Sequence, residues 1–453
     1  MGIFSLFSPP RPRRLPGFFF PMAFCLLWPG ALAAADLLEI YRLALQHDAQ
    51  FAVARFDLEA GREKTPQGLS GLLPRITLSG DTEKNDNETR GGGLETHRQY
   101  NSNSVALTLT QPVFHWQNWL DYDLGRLESA VAEARFVAAR QDLILRVAQA
   151  YFEVLNTQVT LEAARAQKLA IAQQLAQAKM NFEVGVTTIV DTYEAQSRYD
   201  LATAQEIASE NELELRREAL RVIIGEEVPE TLAALDSAKS ILPPDPAEMQ
   251  PWVVAAQTEN LTVQIQEQSV EIAGKELAKA RAGHYPTLDV VARAERNRAP
   301  ASNGQSRQEN RASSIALQFN LPIFEGGYTS SRTRESAANH AAALSALENA
   351  RRNAALLARQ NFLGVVNGLA QIKALEAALT SSLSSLESNK LGYEVGVRIN
   401  IDVLNAEQQV FSTRRDLARA YHDTLLAHLR LKNAIGTLEE KDVQEINALL
   451  QHE

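Results

Sequence analysis

Thiols are almost absent from this chain. One cysteine, Cys25, occurs in 453 residues, so disulfide pairing within the chain and cysteine-built metal sites are excluded. Cationic excess is absent too. The formal charge is −10, which leaves no basic stripe to displace phosphate counterions and excludes nucleic acid as an expected partner. Beyond the N-terminal segment no run of about 18 apolar residues is evident, so no helix is expected to cross a membrane. A chain without such helices could still meet lipid as a closed β-barrel, the other structure that pairs every backbone group there. Catalytic spacings are also missing. The eight histidines are scattered without H-E-x-x-H, and no C-x-x-C or G-x-S-x-G occurs. Gly91-Gly92-Gly93 follows no strand-to-helix phosphate pattern. The expectation is no catalytic residue, no cofactor and no metal.

What is present begins with an export signal. Arg11, Arg13 and Arg14 precede the apolar run from Phe18 to Trp28, and the small residues Ala31-Leu32-Ala33-Ala34-Ala35 follow. These are the n-region, h-region and cleavage site of a secretory signal peptide over residues 1–35, cut after Ala33 or Ala35. A retained membrane anchor fits less well, because Pro21 and Pro29 break a short run. Cleavage removes three arginines and no acid, making the mature chain more acidic, and it removes Cys25. Met22-Ala23-Phe24 lacks the small residues expected before a lipidated cysteine.

The mature sequence is written twice, at an offset of about 211 residues. Ala44 and Asp48 meet Ala256 and Asn260; Leu73-Pro74-Arg75 meets Tyr285-Pro286-Thr287; Gln111-Pro112-Val113-Phe114 meets Leu321-Pro322-Ile323-Phe324. Further on, Phe182-Glu183-Val184-Gly185-Val186 with Asp191 meets Tyr393-Glu394-Val395-Gly396-Val397 with Asp402, and Ile224-Gly225 meets Ile435-Gly436. An ordered series of this kind predicts one fold per half: residues 36–225 and 250–436, with a linker at 226–249 and a tail at 437–453.

Within each half the hydrophobic period changes twice. Residues 36 to about 70 and 250 to about 283 read as helix. Hairpins follow over 74–114 and 286–323. Ile76, Leu78 and Gly80 alternate with Thr77, Ser79 and Asp81; Val105, Leu107 and Leu109 with Ala106, Thr108 and Thr110. The second half repeats the pattern, with Leu288, Val290, Ala292 and Ala294 in one strand and Ile315, Leu317, Phe319 and Leu321 in the other. The joining segments, Arg90 to Gly93 and Pro300 to Gly304, are turn-rich. Such strands suit either a soluble sandwich or barrel staves between lipid and water. Four cannot close a transmembrane barrel, which needs about eight, so the second reading requires several chains.

Residues 117–182 and 328–393 then read as long helices, with return helices over 188–225 and 399–436. Leu143, Val147, Ala150 and Val154 lie beside Ile144, Ala148, Phe152 and Leu155, two stripes that need neighbours on both sides. Sixty-odd residues at about 1.5 Å each make a rod on the order of 100 Å. Gly185 and Gly396 stand where each rod turns back.

In this order these features resemble the TolC family of outer-membrane efflux proteins, over nearly the whole mature chain. The most specific stretches are Gln111 to Phe114, Leu321-Pro322-Ile323-Phe324-Glu325-Gly326-Gly327, Gly392 to Arg398 leading to Asp402-Val403-Leu404-Asn405-Ala406, and Ala150-Tyr151-Phe152-Glu153-Val154-Leu155-Asn156. The resemblance implies an α+β membrane protein: an internally duplicated protomer giving four strands to a twelve-stranded barrel shared by a homotrimer, with a coiled-coil-like α-helical tunnel through the periplasm. It assigns Leu107, Leu109, Val290, Leu317 and Phe319 to outer-membrane lipid, and Asp81, Asp289 and Glu295 to the lumen.

The resemblance also implies a site. Val184, Gly185, Val186, Val395, Gly396 and Val397 become the periplasmic tips, which would contact an adaptor (membrane fusion) protein. Asp402 would be an aperture ring, Tyr393 and Arg398 its ties, and Asp191 their partner; solvated charges capping two helix starts are the plainer alternative. Asn405 departs from the family pattern, standing where a second aspartate ring occurs in the best-known member, and Val190 is apolar at a polar gate position. One carboxylate ring predicts a weaker cation block. Transport would be passive, driven by an inner-membrane ABC or proton-driven transporter. A secreted coiled-coil adhesin or scaffold without a pore is the alternative function.

Overall fold

The computed structural model describes residues 34–91, 94–186, 188–236, 240–299 and 308–451. The signal segment up to Ala33, Gly92-Gly93 and the Pro300 to Gly304 segment lie outside the described residues. The first half runs α1 (Leu37–His47), α2 (Ala49–Arg62), α3 (Lys64–Ser70), β1 (Arg75–Gly91), β2 (Leu94–Phe114), α4 (Trp116–Glu183) and α5 (Ile189–Ile224). The second runs α6 (Met249–Glu259), α7 (Leu261–Ala282), β3 (Thr287–Ala299), β4 (Gln308–Asn320), α8 (Tyr328–Glu394) and α9 (Asn400–Ala434), and α10 (Glu440–Asn447) follows.

The leading helices are not continuous as the composition suggested. The first is three segments and the second is two. Asp48 leaves helical geometry at ψ 116°, and its carboxylate accepts from Phe51 N at 2.6 Å, ending α1 and capping α2 together. Asn260 does the same between α6 and α7 at ψ 130°, accepting from Thr262 N and Val263 N. The aligned pair Asp48 and Asn260 therefore shares one structural job. α8 corrects a second expectation: a window within Tyr328–Glu394 reaches a mean hydropathy of 1.3, long and apolar enough to cross a membrane by length and composition. The same helix also packs against its neighbours: Ala354, Ala355, Ala358, Phe362, Val365 and Ile372 are buried, and a Cβ on Gly368 would strike Thr424 of α9.

All four strands form one antiparallel sheet in the order β1-β2-β3-β4. Its middle pairing, β2 with β3, joins the two halves, setting Leu107 opposite Ala294 and Leu109 opposite Ala292. With Ile76 opposite Leu109, Leu78 opposite Leu107, Val290 opposite Leu317 and Ala292 opposite Ile315, the apolar residues share one face. β1 and β4 are open edges.

The largest core lies midway along the rods, where α1, the middle of α4 and the ends of α5 and α9 meet the linker and α10. Here the stretch from Ala150 to Asn156 has its physical explanation. The Tyr151 hydroxyl lies 2.7 Å from Ala233 O and 3.2 Å from Ala35 O, tying the segment before α1 to the linker. Phe152 stacks on the His422 ring at 5.0 Å, and His422 Nδ1 lies 2.6 Å from Asn156 Oδ1. Burial holds the His422 imidazole neutral, its pKa pushed down to about 4. Glu153 pairs with Arg216 of α5 at 2.8 Å. On the neighbouring face, buried Asp48 receives two hydrogen bonds from Arg146, at 2.9 and 3.1 Å.

Candidate functional site

Two regions of the protomer stand out: the helical tips and the exposed belt of the sheet. At each tip the long helix ends in a Schellman turn. Val186 N donates to Asn181 O at 2.8 Å and Gly185 N to Phe182 O at 3.0 Å; Val397 N donates to Gly392 O at 2.9 Å and Gly396 N to Tyr393 O at 3.1 Å. The turn requires φ near +77° at Gly185 and Gly396, which a side chain would strain. Nothing in the protomer covers these turns among the described residues: Val184, Val186, Val395 and Val397 are each about two-thirds or more exposed.

The return helices start differently, and the difference concerns the expected gate. In α5, Thr188 is the N-cap and Asp191 the third residue; the Asp191 carboxylate accepts from Thr188 N and Thr188 Oγ1, both at 3.1 Å, closing a capping box. In α9 the cap is Ile399, whose side chain has no oxygen to offer, and Asp402 at the matching position makes no such box. Its carboxylate lies instead 3.6 Å from Arg398 Nη1, one helical turn back. Within the protomer, then, Arg398 does not reach Asp191. A four-residue spacing at a helix start brings Arg398 and Asp402 together locally, while Asp191 is already engaged by Thr188. For Asp191 the plainer capping role is the one seen. Tyr393 is half-buried in the last turn of α8. Arg398 lies across Gly392, where a Cβ would meet its side chain at 2.7 Å.

Asn405 has a partner that sequence reasoning missed. Arg198 of α5 donates through Nη1 to Asn405 Oδ1 at 3.3 Å and pairs with Glu194 at 3.5 Å. Just beside it, Leu404 packs into a small cluster with Ile171 of α4 and Ala202 of α5. These contacts fasten α9 to the first helical hairpin near the tips. In the sequence Arg198 shows only a spacing of four from Glu194, which signals an ordinary helix-face pair.

The sheet's apolar face is exposed in the protomer, with Ile76, Leu78, Ile315, Leu317 and Phe319 each about two-thirds exposed or more. Below it, toward the helices, Phe114, Trp116, Trp119, Tyr285, Phe324 and Tyr328 are exposed aromatic side chains. This row of aromatics at the strand–helix junctions also escaped the sequence reading, because its members lie outside the alternating segments. The opposite sheet face is polar: Ser104 bonds Asp81, Arg293 pairs with Glu295 at 2.9 Å, and His115 lies 3.0 Å from Asp289.

Comparison with known proteins gives a consistent result. The family model described as outer membrane efflux protein matches residues 40–226 and 252–437, one match per half. The outer membrane protein TolC of Vibrio cholerae is 32% identical over 423 residues, covering 93% of this chain and 95% of that one. The alkaline protease secretion protein AprF of Pseudomonas aeruginosa is 31% identical, covering 96% and 91%. Among solved structures, the outer membrane protein VceC of Vibrio cholerae superposes with a TM-score of 0.75 at 19% identity, covering 88% of this chain and 96% of that one. The CmeC outer membrane channel of Campylobacter jejuni gives 0.76 at 16% identity, covering 96% and 98%.

Proposed function

The chain belongs to the outer membrane efflux protein family, and from that premise we propose that three copies close one twelve-stranded barrel above a common helical tunnel. The protein is an outer-membrane exit duct for efflux or type I secretion, with its helices in the periplasm. Its relatives are channel proteins, not enzymes. The adhesin alternative gives way to this reading.

The observation that supports a barrel shared between copies is the sheet. It is four strands wide with two open edges, and one face carries an apolar band bordered by aromatics. Lipid tolerates no unpaired strand edge, and the smallest transmembrane barrels have about eight strands. Joining β4 of one copy to β1 of the next satisfies every edge. Aromatic side chains at one border of an apolar band are the girdle that such barrels carry at the membrane interface.

Three copies would also bring Asp402 together as a ring at the periplasmic aperture, where carboxylates repel one another and attract cations. The exposed valines at Val184, Val186, Val395 and Val397 suit docking of a periplasmic adaptor, which would couple the duct to an inner-membrane ABC or proton-driven transporter. Opening would require α9 to part from the first hairpin, releasing Arg198 from Asn405. Residues 1–33 would be the export signal, removed on the way. The test is native mass measurement and planar-bilayer conductance of protein extracted from outer membranes. Trimers with cation-sensitive conductance are expected; a soluble monomer in the periplasm without conductance would overturn the reading.

A further inference from the structure

The outward, apolar face of the sheet does not stay apolar to its top. On β3 the residues following Val290, Ala292 and Ala294 on that face are Arg296 and Arg298, and on β4 those above Ile315 and Ser313 are Arg311 and Glu309. Arg296 lies opposite Arg311 and Arg298 opposite Glu309. Three guanidiniums thus share one carboxylate: Arg296 Nη2 lies 2.5 Å from Glu309 Oε1, Arg311 Nη2 2.9 Å from the same oxygen, and Arg298 Nε 3.5 Å from Oε2. Beside them on β2 the same face offers only Val105 and Asn103, which are uncharged. Among the described residues, buried Arg296 Nε has no hydrogen-bond partner, and buried Arg298 Nε has only the long ion-pair contact with Glu309.

The position fixes what this surplus meets. From Tyr285 in the aromatic row to Arg296 is about eleven residues; at roughly 3.4 Å each and a tilt near 40° that is a height of roughly 29 Å. An apolar band of a barrel is about 25 Å tall. The cluster therefore lies at the far headgroup level, on the side away from the helices. Arginine at the midplane is strongly destabilising and tolerated only near the interface, and guanidinium recognises phosphate oxygens with a planar, two-pronged fork.

We propose that Arg296, Arg298 and Arg311 bind the phosphate of a phosphorylated lipid headgroup in the outer leaflet. The proposal rests on the barrel reading above, because only there does this face look outward into lipid. Glu309 holds the guanidiniums parallel and removes one of three charges, leaving the site cationic.

The test compares the wild-type trimer with the Arg296→Gln, Arg298→Gln, Arg311→Gln triple variant and with the matching triple Lys variant. Each is purified in detergent and titrated with bisphosphorylated lipid A, with the same lipid dephosphorylated, and with inorganic phosphate, bound lipid being counted by native mass spectrometry. Lipid A is expected to stay on wild type and to be lost roughly tenfold more readily from the Gln variant. The Lys variant should be intermediate, and the dephosphorylated lipid should not distinguish the proteins. Equal retention of lipid A by wild type and the Gln variant, or its displacement by millimolar inorganic phosphate, would overturn the site. Single-channel conductance separates the two levels. Conducting trimers that ignore lipid A sink only this proposal, whereas a wild-type protein forming no conducting trimer sinks the barrel reading with it. Should the triple variant not assemble, Arg298→Gln alone carries the same comparison.

Discussion

The Asp402 carboxylate sits 3.6 Å from the Arg398 guanidinium across the start of α9, while its repeat-related counterpart Asp191 is held by Thr188 in a capping box. One substitution between the halves, Ile399 for Thr188, accounts for the difference. Without a cap hydroxyl, the second-half carboxylate is left to pair with Arg398, and it is the one proposed to line the aperture.

Replacing Asp402 by Asn should remove the block of conductance by a multivalent cation. A single carboxylate–cation contact near 4 Å contributes about 1 to 4 kcal/mol between water-like and surface dielectrics, so the blocking concentration should rise roughly tenfold or more. Planar-bilayer titration with hexamminecobalt reads this directly. A block of undiminished strength would take Asp402 out of the aperture.

Arg198→Ala cuts the hydrogen bond that fastens α9 to α5 at Asn405. If opening separates those helices, resting conductance should rise, and Asn405→Ala should raise it similarly. The double variant should then match either single one, because both remove the same interaction. Additive effects in single-channel records would mean the two residues act apart.

Arg146→Ala leaves the Asp48 carboxylate buried without its cation. Losing one partner of a buried pair costs roughly 3 kcal/mol, so the circular-dichroism melting midpoint should fall clearly. Burial raises the Asp48 pKa, but the Arg146 and Phe51 hydrogen bonds outweigh it and hold it below the usual value. The pair's contribution is therefore present above the unfolded pKa of about 3.9 and lost as pH falls through the folded one. Below that range wild type and variant should converge.

His422 predicts a second acid dependence at higher pH. Its folded pKa of about 4 lies under the unfolded value, so the neutral ring stabilises the fold above about 6.5 and that stability drains away as pH drops toward 4. The full loss is about 3 kcal/mol. His422→Gln should flatten the decline of the melting midpoint between those pH values; an unchanged slope would show that another group titrates.

Protein sequencing of the mature N-terminus should find Ala34 first. Ala35 is built into the fold: its N–H donates to Thr231 O and its carbonyl accepts from Ala233 N, both at 3.0 Å, and the residue is buried. Cleavage after Ala35 would remove all of this. A mature chain starting at Asp36 would require the linker to find other partners.

Properties set by local periodicity were legible in the sequence. The alternating strands, the turn glycines Gly185 and Gly396, and the length of the rods each depend on residues a few positions apart, where sterics and hydrophobic period leave little choice, and the duplication shows as the same local patterns written twice. The apolar sheet face could be read in advance because side chains in a strand alternate whatever the sheet's neighbours are. The family resemblance also named Asp402 and Arg398, though not their pairing with each other. Only the tertiary structure decided contacts between residues distant in the chain. It put β2 beside β3, set Arg198 against Asn405, gave Asp48 to Arg146, and locked Asn447 of α10 onto Asp36 at 2.8 Å. It also gathered Arg296, Arg298 and Arg311 around Glu309, a cluster that no spacing announces. Such contacts arise from how rods and strands pack, and packing is a property of the whole chain that no short window contains.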